Sequence, residues 1–288
     1  MSFPSPLIIN LAPTGMVPVR SQSPHIPLSP EEIIADAVLC AQQGASMFHL
    51  HARDADGVPT DDAATYESII RGIRAYSPEL IIVTTTSGRR SPEVEKRASS
   101  LRLSDSLRPD MASLTLGSMN FSRQASLNAP DTIVQLAGIM QELGIKPELE
   151  VFDLGMVNFA KVLIDKGLLK PPYYFNIILG NPATAQAKLL HLAAIVGDLP
   201  PDSIWSLGGI GRYQTTANGL GVVMAHGVRT GLEDNLWLDD ERTTLATNAQ
   251  LVARVAAQAK ALGRPIATAP TVRTMLGLAS STSPKDIA

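Results

Sequence analysis

The sequence predicts a closed (β/α)₈ barrel, and three observations carry the prediction. Short apolar runs alternate with amphipathic helical patterns eight times within 288 residues. No stretch contains strands alone. Strands separated by helices must run parallel, with right-handed crossovers between them. Eight such units suit a closed barrel, with an open doubly wound sheet as the alternative. The chain then forms a single domain over 1–288, its active site at the C-terminal ends of the strands.

The first unit is the apolar run PLIINLA (6–12), ending in PTG, followed by LSPEEIIADAVLCAQQG. Ser29 can cap that helix, Pro30 suits its first position and Glu32 completes a capping box. Ile33, Ile34, Ala37, Val38 and Ala41 form its apolar face, and Gly44 closes it. Strand MFHLHA precedes a helix over 60–76 with Tyr66, Ile69, Ile70 and Ile73 on one face. LIIVTTT precedes a helix opened by Ser91, Pro92 and Glu93. DMASLTL, KPELEVF and YYFNIIL precede helices near 129–143, 154–167 and 183–197. SIWSLG precedes one near 213–225, and GVRTG one near 245–262.

Composition narrows the function. Hydrophobic residues make up 45% and charged residues 18%, which fits a folded globular chain. A net charge of −3 offers no nucleic-acid surface or anionic-membrane patch. No basic segment followed by an apolar run opens the chain, and no apolar stretch approaches the ~20 residues of a membrane helix. One cysteine, Cys40, excludes an intramolecular disulfide and suits a reducing compartment. Within its helical pattern Cys40 reads as a small buried residue, not a nucleophile. The expectation is a soluble cytoplasmic protein.

Only five histidines occur, yet MFHLHARD places His49 and His51 one residue apart. Strand side chains two apart share a face, so both can converge on one point at the end of the second strand. Two imidazoles there suit a divalent cation such as zinc; the alternative is two core histidines bonded separately. A calcium loop at Asp54 fails, because Pro59 stands where a glycine is needed and Thr65 where a glutamate is needed. A third ligand could come from HGVRTGLEDN, where Glu233 and Asp234 are adjacent. The pair could equally be the acidic start of a helix.

These motifs occur in a specific order: APTG, HLHARD, TTTSG, PELEVFDLGM, GGIGR, HGVRTGLEDN and the closing NAQLVARVAAQAKALGRPIATAP. Together they resemble the β-keto acid cleavage enzymes, zinc-dependent (β/α)₈ barrels, across nearly the whole chain. The resemblance implies that His49, His51 and Glu233 bind the metal. It implies that a β-keto acid and acetyl-CoA become acetoacetate and a new acyl-CoA. Asp234 and Arg229 would be catalytic beside the metal, and Glu150 an acidic active-site residue that competes with Asp234 as the base. Thr86, Ser87 and Gly88 fall in a segment that contacts the substrate carboxylate, and Ser113 matches a position near the substrate. Relatives are commonly homo-oligomers, so self-assembly is implied too.

Further positively charged residues fall at strand ends. In GGIGR (208–212) the glycines would let backbone N–H groups approach a phosphate, with Arg212 beside them. In SGRR (87–90), Arg89 and Arg90 could bind substrate or coenzyme A; the alternative is a solvated charge pair. LGNPAT could form a wall or simply start a helix. His25, His191 and His226 fall outside the ligand set, His191 as a helix-surface or core residue and His226 at a helix C-terminus.

The sequence also departs from relatives that act on an amino-bearing substrate. They carry a glutamate two residues after TG, where this chain has Val17. Valine cannot pair with an ammonium group, so a substrate without positive charge on that side is expected, its tail apolar, uncharged or bearing a second carboxylate. Rival readings are a coenzyme A-independent lyase or aldolase, a hydrolase, and a catalytically silent barrel that binds metal or acyl-CoA. Amidohydrolase barrels place their H-x-H pair after the first strand and need later histidines that this chain lacks, which disfavours a hydrolase.

Overall fold

The structure is a computed structural model, and it describes residues 5–104 and 106–279. Eight parallel strands close a barrel in sequence order: β1 (Ile8–Leu11), β2 (Met47–Leu50), β3 (Ile81–Thr84), β4 (Met111–Thr115), β5 (Lys146–Val151), β6 (Tyr173–Leu179), β7 (Ser203–Gly209) and β8 (Gly227–Thr230). β8 returns to β1, pairing Asn10 with Arg229. The expected barrel therefore closes, with no open edge.

Most of the helices follow the expected pattern. α1 (Pro30–Gln42) carries the capping box: Ser29 Oγ accepts from Glu32 N–H, and the Glu32 carboxylate accepts from Ser29 N–H. α2 (Ala63–Tyr76) begins after its Asp62 cap, later than position 60, because Pro59–Thr60 pairs with Ala52–Arg53 in a short hairpin. The helix expected after Ser91 shrinks to one turn, α3 (Val94–Arg97), followed by a 3₁₀ turn. Ser91 Oγ accepts from Glu93 N–H in a local turn, and Arg97 is drawn to Thr86 O and Asn128 Oδ1, which hold the segment across the barrel end.

α4 (Pro130–Leu143), α5 (Leu154–Asp165), α7 (Tyr213–Met224) and α8 (Asn248–Ala261) lie where expected within a few residues. α6 (Leu189–Gly197) begins six residues late, because Ala185 N–H bonds Phe152 O and the Gln186 amide bonds Asn181 O and Thr184 O. A further helix, α9 (Ala269–Leu276), was not expected; Arg273 ties it to the entry ends of β3 and β4 through Glu79 O and Asp110.

Apolar side chains fill the layer between the barrel and its helices. One cluster lies around β1–β3 with α1, α2, α8 and α9, and a second around β4–β7 with α4–α7. Cys40 is fully buried in the first, and burial pushes its thiol pKa up, so it is inert packing. The middle of the barrel is instead polar: Asn10, His49, Glu148, Tyr174, Asn176, Ser206 and Arg229 are all buried. Buried polar groups need partners, and those partners build the site.

Candidate active site

Strand alternation assembles the centre. His49 and His51 converge as the two-residue spacing requires, with their Nε2 atoms 3.3 Å apart. Glu233 arrives from the β8 loop, its Oε1 3.3 Å from His51 Nε2 and its Oε2 4.0 Å from His49 Nε2. That loop is tied to the ends of β1 and α8: Glu233 N–H bonds Ala12 O, and Asn248 accepts from Leu232 N–H while donating to Pro13 O. Gly15 (φ +66°) presses on it from the β1 side, where a Cβ would lie 2.5 Å from Glu233 Cγ. An L side chain there is both strained and obstructed.

The donor set fits a divalent cation. One ligand atom from each of His49, His51 and Glu233 lies within 4.8 Å of the others. Two nitrogens ~2.05 Å from one tetrahedral ion would be about 3.3 Å apart, close to the separation of the imidazoles. His49 Nδ1 is 2.6 Å from Glu148 Oε2, which orients the ring and leaves Nε2 facing the other donors. Glu233 Oε2 is buried without a hydrogen-bond partner. His49, Glu148 and Glu150 form a second candidate group, but Glu148 is already engaged with His49, Asn10 and Asn176, and Glu150 with Thr115.

Charge balance follows from the same contacts. Burial opposes a proton on His49 most strongly, yet the Glu148 and Glu233 carboxylates together outweigh it and lift the pKa to about 9. Burial dominates at His51 and holds it below its usual range despite Glu233. Arg229 gathers three carboxylates: Asp234 through Nε at 2.8 Å, Glu233 at 2.8 Å and Glu150 at 3.6 Å. Burial raises the pKa of Asp234 and outlasts the opposing pull of Arg229, with Glu233 adding to the rise. Glu150 is likewise raised by burial, against His49 and Arg229. Glu233 is held well below the usual range, because His51 and Arg229 overcome its burial.

A cavity of about 590 Å³ opens over this centre, lined by His49, His51, Glu150, Arg229, Glu233 and Asp234 together with Ser87, Arg89, Phe121, Met16 and Val17. All the expected catalytic and metal residues are therefore assembled. Five expected substrate or coenzyme A contacts are not. Just past the end of β3, Thr85 and Ser87 line the wall, while Thr86 between them is buried and bonds Ser113 O through its hydroxyl at 2.5 Å. Ser113 Oγ in turn accepts from Thr86 N–H, so both link β3 to β4. Gly88 is a close-approach position, since a Cβ would lie 2.2 Å from Leu127 O.

Arg212 is exposed and outside the cavity lining. The turn before it is engaged within the protein: Ile210 N–H donates to Leu179 O and Gly211 N–H to Asp234 O. Arg242, not Arg212, lines the cavity near this turn. Arg90 is exposed and lies outside the cavity. His191 Nδ1 accepts from Gln186 N–H, and His226 Nδ1 from Trp205 N–H, away from the centre. The residue that sequence reading missed is Glu148. Its signal was present, since Glu148 and Glu150 alternate on a strand as His49 and His51 do.

A family model described as beta-keto acid cleavage enzyme matches residues 6–278. The chain belongs to that family. A "3-keto-5-aminohexanoate cleavage enzyme" of Fusobacterium nucleatum is 36% identical over 273 residues, covering 94% of this chain and 98% of the relative. A "3-oxoadipate:acetyl-CoA acetyltransferase" of Cupriavidus necator is 36% identical over 278 residues, 96% of each chain. Among solved structures, apo ObcA superposes with a TM-score of 0.75 at 24% identity, covering 89% of this chain and 66% of that one; this likeness concerns the fold.

Proposed function

We propose that this member of the family exchanges acyl groups between a β-keto acid and acetyl-CoA at a divalent metal, zinc by its donor set, held by His49, His51 and Glu233. The observation that carries the reading is the three-donor cluster beside Asp234 and Arg229 at the floor of one cavity. Two imidazoles and one carboxylate with room for further ligands match a catalytic site more than a closed structural one. When bound, the cation supplies Lewis acidity to the ketone and carboxylate oxygens of the keto acid.

The chain's own residues divide the remaining work. Asp234 takes the α-carbon proton, being held at the cavity by Arg229 with its pKa raised by burial. The resulting enolate attacks the thioester carbonyl of acetyl-CoA, forming a carbon–carbon bond and releasing the thiolate. The thiolate attacks the original ketone, the older carbon–carbon bond breaks, and the departing acetoacetate carbanion recovers the proton from Asp234. Arg229 offsets the negative charge that develops at each carbonyl. Glu150, hydrogen-bonded by Thr115 and weakly paired with Arg229, is the alternative base. Glu148 acts through His49 as a positioning residue, and Ser87 offers a hydroxyl to the keto acid.

Val17 in the cavity wall supports a substrate without an ammonium group on that side. A lone buried thiol supports a reducing cytoplasmic setting, and no described helix is long and apolar enough to cross a membrane. Exposed Leu189 and Leu190 at the start of α6 support self-association. The deciding measurement is acetoacetate formation from acetyl-CoA and a panel of β-keto acids. Acetoacetate that disappears without acetyl-CoA, and after chelation until zinc is restored, is the expected result. Cleavage that proceeds without acetyl-CoA would replace this reading with a lyase.

A further inference from the structure

Four arginines line the cavity, and their surroundings differ. Arg229 is matched by three carboxylates. Arg123 and Arg242 are exposed, where water solvates them. Arg89 has neither arrangement. Its guanidinium carbon lies 3.4 Å from the centroid of the Phe121 ring, and among the described residues no carboxylate or carbonyl accepts a hydrogen bond from its guanidinium. Its backbone N–H bonds Ser87 Oγ, which holds the residue at the wall. Burial pulls its pKa down, while Glu233, Glu150 and Asp234 oppose the fall, so it stands within electrostatic reach of the floor.

The ring fixes this cation without satisfying it. Stacking covers one face of the guanidinium and leaves its in-plane N–H donors open, the edge that receives a carboxylate in bidentate fashion. Phe121 is itself held edge-on against Phe152, with ring centroids 5.8 Å apart at 88°. The fork is thus presented by a supported aromatic wall.

An apolar tail lying beside Arg89 would bury the cation without a counter-charge, an arrangement that proteins avoid. The exposed Arg123 and Arg242 suit the long polyanionic cosubstrate. Arg89, deeper in the wall, suits the smaller one. We propose that the β-keto acid is dicarboxylic, with its distal carboxylate bound in the plane of the Arg89 guanidinium stacked on Phe121. This rests on the acyl-exchange reading, which commits the first carboxylate to the metal site. Met16 and Val17 complete a wall that offers nothing to an ammonium group.

The test measures binding separately from turnover. Zinc-loaded wild-type protein, Arg89→Met and Arg89→Lys are titrated calorimetrically with two unreactive analogues of equal chain length, 3-hydroxyadipate and 3-hydroxyhexanoate. The wild type is expected to bind the dicarboxylate on the order of 10- to 100-fold tighter. Arg89→Met should bring the two analogues within about 3-fold of each other, with Arg89→Lys between. Equal affinities in the wild type, or a preference that survives Arg89→Met, would overturn the proposal. Acetoacetate release from the matching 3-oxo acids is followed in parallel. Release without preference would overturn this inference and leave the acyl exchange standing, whereas a binding preference without any acetoacetate would do the reverse.

Discussion

Arg229 and Arg89 line one cavity and carry the same charge, but their partners differ in kind. Arg229 is buried amid Asp234, Glu233 and Glu150, three carboxylates supplied by β5 and the β8 loop. Arg89 meets an aromatic face and no counter-ion. A buried charge with its partners in place defines a fixed geometry, and removing one member leaves the others uncompensated. A half-buried charge with an open edge is suited to a ligand. The comparison separates the part of the cavity that organises chemistry from the part that selects substrate.

The largest expected effect comes from breaking the matched side. Arg229→Met should reduce acetoacetate formation by more than ~10³-fold and lower stability by about 3–5 kcal/mol, read by turnover and thermal denaturation. A variant that keeps turnover within about 10-fold would show that the three carboxylates need no central cation. A smaller effect is expected one shell further out. Glu148→Gln keeps the shape but removes the charge facing His49 Nδ1, and should weaken metal binding by about 10–100-fold, measured by competition with a chromophoric chelator. Unchanged affinity would deny Glu148 its positioning role.

The smallest effect sharpens the comparison with a third arrangement, a half-buried carboxyl given only an amide. Asp36 faces Asn248 Nδ2 at 2.6 Å, and burial raises its pKa to about 6 despite that hydrogen bond. The folded protein therefore holds this proton more tightly than the unfolded chain does. Between the unfolded value near 4 and the folded value near 6, stability should fall as pH rises, by on the order of 1–2 kcal/mol. Asp36→Asn should flatten that segment of the stability–pH curve and stabilise the protein at neutral pH, as followed by denaturant unfolding at several pH values. An unaltered slope would assign the titration to other groups.

Much of this was legible in the chain. Eight alternations of strand and helix, with capping boxes such as Ser29/Glu32, specified the barrel because hydrophobic period and caps are local signals. The helix after β3 was misjudged: Ser91, Pro92 and Glu93 resemble a helix start, but Arg97 is recruited by Thr86 O and Asn128 from elsewhere in the fold. The His49/His51 pair was visible for the same reason as the strands, since two-residue spacing fixes a shared face. Glu148 had that signal too and went unread, because a buried carboxylate gains meaning only from the histidine it meets 99 residues away.

By itself, then, the sequence determined the barrel, the end of the barrel that carries the chemistry and, through ordered motifs, the family. Tertiary structure alone decided which charges are matched and which are open. It turned Thr86 and Ser113 toward each other, placed Arg212 in solvent while Arg242 reached the cavity, and set Arg89 on Phe121 from the loop that follows the next barrel strand. The physical reason is range. Periodicity and capping act within a few residues along the chain, whereas the partner of a buried charge is set by how distant strands and loops pack together.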